Sequence, residues 1–371
     1  MQKNKLFILI TFILTGLLLS GCAGGTAPDL SSDPSVESAG VMSSAVVEDY
    51  NEVMNTGGLL VHHIDVGQGD SILIQLSSGE NILIDAGEVD KGDIVLNYLK
   101  SQQVEKLDIL IATHPHSDHI GGMKTIVDNL DIGKIYMPRA SHTTQTYENL
   151  LLSIKNKGLK ISEAKAGVEL ELADMFEARF IAPNSSNYES LNDYSAVLKL
   201  KYKDHGFLFT GDAEDISGQE ILSNNHDVKA TVLDAPHHGS TNSLLNEKFL
   251  KKVSPQVAVI SAGKDNRYGH PHKEILEMLD NYGVQVLRTD IDGNIVIVSD
   301  GNKLKVNKNQ STSNEEVVVP DSQVQYIGNK NSKIFHLPSC KSLPAEHNRQ
   351  YFDNQSEAID NGYKPCQNCK P

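Results

Sequence analysis

The amino-acid sequence predicts an α/β fold with sheets at the centre and helices outside, followed by a small metal-held module. Three observations predict it. Short apolar runs alternate with amphipathic segments from about Leu59 to Val298, a course that suits layered sheets and helices. A loop crowded with His and Asp follows directly on an apolar run at 107–112. Three of the four cysteines lie beyond residue 339, and none falls between residues 23 and 339.

The elements are read in chain order. Lys3 and Lys5 precede an apolar run from Leu6 to Leu19 that is short for a membrane span and reads as a signal peptide. The run ends in Leu19-Ser20-Gly21-Cys22, which resembles a bacterial lipobox over residues 1–22. That resemblance implies an acylated Cys22, a membrane-lipid partner, and an exported lipoprotein at the bacterial cell surface or the outer side of the cytoplasmic membrane. Residues 23–57 are rich in Ser, Gly, Asp and Glu and are expected to be a flexible linker.

A main domain is expected over 58–300. Leu60–Val66, Ser71–Leu76 and Asn81–Asp85 read as consecutive strands, separated by turns at Gly67-Gln68-Gly69 and Ser77-Ser78-Gly79. A helical pattern follows over Ile94–Gln102, then the buried strand Leu107–Ala112, and a helix through Met123–Asn129. Strands and helices mix again from Leu170 to about Val298. Residues 301–323 turn polar and read as a second linker to a compact module at 324–371.

Between strand and helix lies Thr113-His114-Pro115-His116-Ser117-Asp118-His119-Ile120-Gly121-Gly122. Its four candidate ligands stand at i, i+2, i+4 and i+5, which no helix or strand would put on one face. A loop can fold them around two adjacent ions, and imidazole with carboxylate suits Zn²⁺ and similar cations.

His-x-His-x-Asp-His resembles the signature of the metallo-β-lactamase superfamily, and other parts of that pattern follow in order. The resemblance implies a four-layer αββα fold and hydrolysis by a hydroxide activated between two divalent ions, Zn or Mn, about 4 Å apart. It places His114, His116 and Asp212 on metal one, and Asp118, His119, Asp212 and His237 on metal two. His238 rivals His237 for the last place, and Asp85 is implied to support the ligands from behind. Many relatives supply a further His to metal one from the segment that is Ser190-Leu191-Asn192-Asp193-Tyr194-Ser195 here. No His lies there, so Asn192, Asp193, Ser195 or water is expected to complete the site. His142 and His205 fall outside that position and are expected at the surface.

Ile64-Asp65-Val66-Gly67-Gln68-Gly69-Asp70-Ser71, Pro236-His237-His238-Gly239-Ser240 and Tyr268-Gly269-His270-Pro271-His272 together resemble the hydrolase domain of the ComEC family of competence proteins, over residues 58–300. What this implies is hydrolysis of a phosphodiester such as DNA. Asp65 and Asp70 are candidates to orient ligands by hydrogen bonding. Gly67-Gln68-Gly69 is either a close backbone approach to the metals or a plain hairpin turn. His270 is a candidate catalytic group beside Asp118, able to bind a phosphate oxygen or protonate a leaving group, or else part of a helix-entry turn. Lys264 and Arg267 add local positive charge nearby.

The last constellation is His336-x3-Cys340 with Cys366-x2-Cys369, a closed set of soft ligands that reads as one structural zinc site. A disulfide is the rival reading. The stretch to Pro371 resembles the metal-binding domain of Ada, with His336 where that family has its methyl-accepting cysteine, so alkyl transfer is not expected.

A formal net charge of −15 disfavours gripping nucleic acid by bulk electrostatics and leaves that task to a local patch and metal ions. The leading expectation is a surface-anchored phosphodiesterase or nuclease. Its alternatives are a hydrolase of another ester, lactone or wall-polymer phosphodiester, and a non-catalytic nucleic-acid receptor.

Overall fold

The computed structural model describes residues 44–308, 326–338, 340–352 and 355–369. The expected signal peptide, Cys22 and residues 23–43 of the first linker lie outside the described residues, as do 309–323 of the second. Among the described residues no helix is long and apolar enough to cross a membrane.

Two sheets form the main domain. The first has eight strands in the order Leu304–Lys308, Ile295–Ser299, Leu59–His63, Ile72–Leu76, Asn81–Ile84, Lys106–Ile111, Asp131–Met137 and Ile161–Glu163. The second has six, in the order Gln285–Arg288, Val257–Ile260, Val232–Asp234, His205–Phe209, Leu198–Tyr202 and Phe176–Phe180. Each sheet is antiparallel on one side and parallel on the other. Parallel strands need covered faces. The fully buried run Val257–Ile260 meets that need, whereas Phe176–Phe180 alternates buried and exposed as an edge strand should.

The sheets face each other across a core that includes Val61, Ile74, Ile84 and Ile109 on one side and Phe180, Leu200, Phe207 and Val259 on the other. Alternation along each strand sends the neighbouring residues outward. Leu73, Leu83 and Leu110 pack with Leu99, Ile126 and Ile154 from the helices Gly92–Ser101, Met123–Asn129 and Gln145–Asn156. Leu208, Leu233 and Ala258 pack with Ile221, Phe249 and Leu279 from Asp215–Ser223, Glu247–Val253 and Lys273–Asn281. Helix, sheet, sheet and helix therefore stack in four layers.

Two boundaries differ from the sequence reading. Residues Ser44–Thr56, expected within a flexible linker, form a helix whose Tyr50, Val53 and Met54 pack on Leu60, Val296 and Val298. Its apolar spacing is too sparse to stand out until the sheet supplies the other half of the contact. Residues Leu304–Lys308, expected in the second linker, pair antiparallel with Ile295–Ser299 and carry the domain past residue 300. His205, expected at the surface, is buried with Nδ1 2.7 Å from Ser299 Oγ.

The C-terminal module is a four-stranded sheet in the order Arg349–Phe352, Tyr326–Asn329, Ile334–His336 and Lys364–Pro365. Its core is Phe335, Phe352, Ala358 and Tyr363 with Tyr326 and Ile359 against them, little for a folded unit to stand on alone.

Candidate metal centre

The chain turns from strand to loop at one end of the sandwich, and the chemistry gathers there. Asp85 follows Asn81–Ile84, the His-rich loop follows Lys106–Ile111, Asp212 follows His205–Phe209, and His237 and His238 follow Val232–Asp234. Residues far apart in sequence thus converge because their strands run parallel within each sheet.

Ligand atoms of Asp118, His119, Asp212 and His238 all lie within 4.8 Å of one another, and so do those of His114, His116 and Asp212. Asp212 joins the two groups. Its Oδ1 is 3.2 Å from His119 Nε2 and 3.6 Å from His238 Nε2, while its Oδ2 is 3.8 Å from His114 Nε2. His114 Nε2 and His116 Nδ1 point at each other across 3.0 Å.

Whether these residues fit metal ions is tested by their unmet bonds. His119 Nε2, His238 Nε2 and Asp212 Oδ1 are buried and make no hydrogen bond. Such atoms cost free energy unless something occupies the space between them. Three buried donor atoms aimed at a common point, with carboxylate and imidazole chemistry, fit a divalent cation.

The electrostatics agree. Burial and the neighbouring His119 hold His114 well below its ordinary range, keeping it a neutral ligand. Burial would lower His119, but Asp212, Asp118 and Asp85 outweigh it and drive it well above the usual value. Likewise burial would raise Asp212, yet His119 and His238 hold it well below the carboxylate range. Burial would lower His238 too, but Asp212 and Asp70 raise it well above its usual value, so the carboxylates around both rings favour positive charge of the kind a cation would supply.

Residues 64–264 match the profile of the metallo-beta-lactamase superfamily, more than half of the chain. The chain belongs to the metallo-beta-lactamase superfamily. It is 31% identical over 252 residues to ComE operon protein 3 of Bacillus subtilis (strain 168), 30% over 232 to competence protein ComA of Neisseria gonorrhoeae, and 28% over 240 to recombination protein 2 of Haemophilus influenzae. These alignments cover 63%, 62% and 63% of this chain but only 32%, 30% and 28% of the relatives, so the chain spans about a third of their length. Residues 317–371 match the metal binding domain of Ada.

Within this metallo-beta-lactamase domain the first reading of the last ligand is corrected: His238, not His237, joins the Asp118 group. Both residues are left-handed, with φ of 51° and 55°, so their rings diverge, with centroids 6.1 Å apart and planes at 70°. His238 turns inward and is buried, its Nδ1 donating to Ser261 O at 2.9 Å. His237 stays partly exposed with Nδ1 2.8 Å from Asn242 O.

Behind the ligands stand acceptors. Asp85 accepts from the Thr113 N–H at 2.9 Å and from the Thr113 hydroxyl at 2.5 Å, and its Oδ2 is 2.8 Å from His119 Nδ1. Asp70 lies 3.4 Å from His238 Nδ1 and 3.8 Å from His119 Nδ1. Asp65 instead accepts the Gly67 N–H at 3.0 Å and touches no ligand. Gly67-Gln68-Gly69 is more than a hairpin turn. A Cβ on Gly69, at φ +128°, would lie 2.2 Å from Asp118 O, so only glycine lets this connection pass so close to the ligand segment.

The residues expected to replace the missing histidine scatter. Asp193 accepts the Ser217 N–H at 2.9 Å, at the start of a helix and away from the centre. Ser195 Oγ accepts the Asp212 N–H and sits 3.4 Å from His114 Nδ1, behind that ring. Asn192 donates to Glu214 at 2.9 Å, and its Oδ1 is buried without a partner.

His270 comes to the mouth, its ring 5.7 Å from His237 and 6.1 Å from His238, with a buried, unpartnered Nδ1. Burial and then the neighbouring imidazoles lower it to about 4. The helix-entry part of the rival reading belongs to His272, which caps Lys273–Asn281 and accepts the Thr241 N–H at 2.9 Å. Arg267 donates to Tyr268 Oη at 2.6 Å and lies over its ring, while Lys264 is exposed. His142, expected merely at the surface, lies half-buried with its ring 5.9 Å from that of His116. No spacing links it to the motif, and only the loop after Asp131–Met137 brings it there.

In the module, ligand atoms of His336, Cys340, Cys366 and Cys369 lie within 4.8 Å of one another. The three cysteines are free thiols, not a disulfide pair. Backbone N–H groups of Ser342 and Asn368 point at the sulfurs of Cys340 and Cys366 at 3.5 and 3.4 Å, the arrangement that stabilises thiolates around zinc.

Proposed function

We propose that the chain is a metal-dependent phosphodiesterase that cleaves nucleic acid, tethered to a membrane face through acylated Cys22. The observation that carries this reading is the composition of the mouth. On a chain of net charge −15, the partly exposed groups beside the metal centre include the imidazoles of His270 and His142, with Arg267 over the Tyr268 ring that stacks on His270. A phosphodiester needs such donors, whereas a neutral ester or lactone does not. The names of the competence relatives point the same way.

Two divalent ions held by His114, His116, Asp118, His119, Asp212 and His238 would supply Lewis acidity and lower the pKa of a water molecule. Asp118 and Asp212 would orient that water by accepting hydrogen bonds from it. His270, lowered to about 4 and so neutral, stands where an Nδ1–H would donate a hydrogen bond to the charge that develops on the leaving oxygen. Zinc in the module would fix a surface on which the nucleic acid rests.

The test is hydrolysis of single-stranded DNA, double-stranded DNA, RNA and a small phosphodiester by the purified chain with Zn²⁺ or Mn²⁺. Cleavage that Asp118→Ala abolishes is expected. Inactivity on all four substrates with metal bound would defeat the proposal, and hydrolysis of a lactone or carboxylic ester alone would replace it.

A further inference from the structure

Asp212 has two oxygens, and each faces two imidazoles. Oδ1 faces His119 Nε2 and His238 Nε2, the metal-two side. Oδ2 faces His114 Nε2 at 3.8 Å and His237 Nε2 at 3.7 Å, with His237 just outside the tighter group of His114, His116 and Asp212. We infer that His237 is the imidazole that serves metal one, in place of the histidine that residues 190–195 do not supply, so that two consecutive histidines divide between the two ions.

Three further features carry this. First, left-handed backbone at a residue with a Cβ is disfavoured and persists where the surroundings hold it. Here it occurs at both residues in succession. A single left-handed residue would suffice to turn one ring inward, and the second is accounted for when both rings have a destination.

Second, the tautomer of His237 is fixed. Its Nδ1 lies 2.8 Å from the Asn242 carbonyl oxygen, which can only accept, so Nδ1 carries the hydrogen and Nε2 presents its lone pair toward Asp212. Asn242 is itself anchored, its amide donating to Glu214 at 2.8 Å. Carbonyl-backed imidazoles of this kind are how proteins orient metal-binding histidines.

Third, the rivals face elsewhere. Asp193 is spent on the Ser217 N–H, and Ser195 lies at Nδ1 of His114, the nitrogen turned away from Asp212. Asn192 Oδ1 alone stays open, a neutral oxygen and a weaker donor for zinc than an imidazole.

The inference rests on the two-metal reading of the site but not on the substrate. The experiment loads the full chain with Zn²⁺, counts ions per chain after dialysis, and repeats the loading with Mn²⁺ for electron paramagnetic resonance. The unsubstituted chain is expected to hold two active-site ions beyond the module's zinc and to give a spin-coupled dimanganese signal. His237→Ala is expected to hold one ion fewer and give an uncoupled mononuclear signal, with its circular dichroism unchanged. Asn192→Ala is expected to keep both ions. Retention of both ions by His237→Ala, or loss of one by Asn192→Ala, overturns the assignment. A single active-site ion in the unsubstituted chain would sink the two-metal reading itself.

Discussion

At the scale of single residues, Asp85 shows how much of the centre lies behind the ligands. Its carboxylate is fully buried, and burial pushes its pKa up although His119 and Thr113 pull against that. It stays useful because it holds Thr113 and His119 at once, fixing the first and last turns of the ligand loop. Asp85→Asn preserves the shape and can still accept one bond, but removes the charge that draws the His119 Nδ1 proton. Active-site metal affinity is expected to fall roughly 10- to 100-fold, measured by competition with a chromophoric chelator, with the module's zinc unaffected. Unchanged affinity would show that His119 needs no acceptor behind it.

The residue scale is also where sequence was read best and worst. His114, His116, Asp118 and His119 are legible because they are neighbours in the chain, although the segment is not all the loop expected: Asp118 and His119 lie on the short helix Ser117–Ile120. Choosing between His237 and His238 was not legible, because the decision lies in two left-handed residues that no side-chain pattern announces. His142 was missed for the related reason that its approach to His116 depends on a loop path.

Among the elements, Leu59–His63 carries an unusual load. It lies inside the eight-stranded sheet with every residue buried, yet ends in two histidines. His62 has Nδ1 3.0 Å from Tyr98 Oη, and His63 has neither nitrogen bonded. Burial lowers His62 to about 3 and His63 to about 4, from 6.5. Both are therefore neutral in the fold, and the unfolded chain takes up their protons more readily. Their contribution to stability is fully present above pH 6.5 and is lost as pH falls toward 4 and then 3. Replacing His62 by Leu is expected to flatten the decline of unfolding free energy over that interval, by up to roughly 1.4 kcal/mol per pH unit. Urea titrations at pH 7, 6, 5 and 4 on the metal-free chain measure it, and parallel curves for the two proteins would refute it. The strand itself was plain in the sequence as an apolar run. The helix Ser44–Thr56 that covers it was not, since its contact with Leu60, Val296 and Val298 is a property of the assembled sheet.

For the molecule as a whole, the two metal-binding constellations sit on cores of different size. The main domain fills three layers between and outside its sheets, so its fold does not wait on the ions at one end. The module has a handful of apolar side chains around one cluster of His and Cys. When so small a core closes on a metal, the free energy of binding is largely the free energy of folding. The sequence revealed both units, because ligand spacing marks the module and alternating runs mark the sandwich. It misplaced the boundary between them, since Leu304–Lys308 is polar enough to pass for linker and is held by strand pairing. Chelation is accordingly expected to act on the halves unequally. With EDTA, residues 326–369 should become open to protease while 44–308 stay intact, and calorimetry should lose one transition and keep the other. Cys366→Ser should reproduce the first effect without chelator and leave metal at the Asp212 centre. If chelator instead melts both units together at one temperature, the sandwich owes its stability to its ions, and the separation of structural from chemical metal in this chain is wrong.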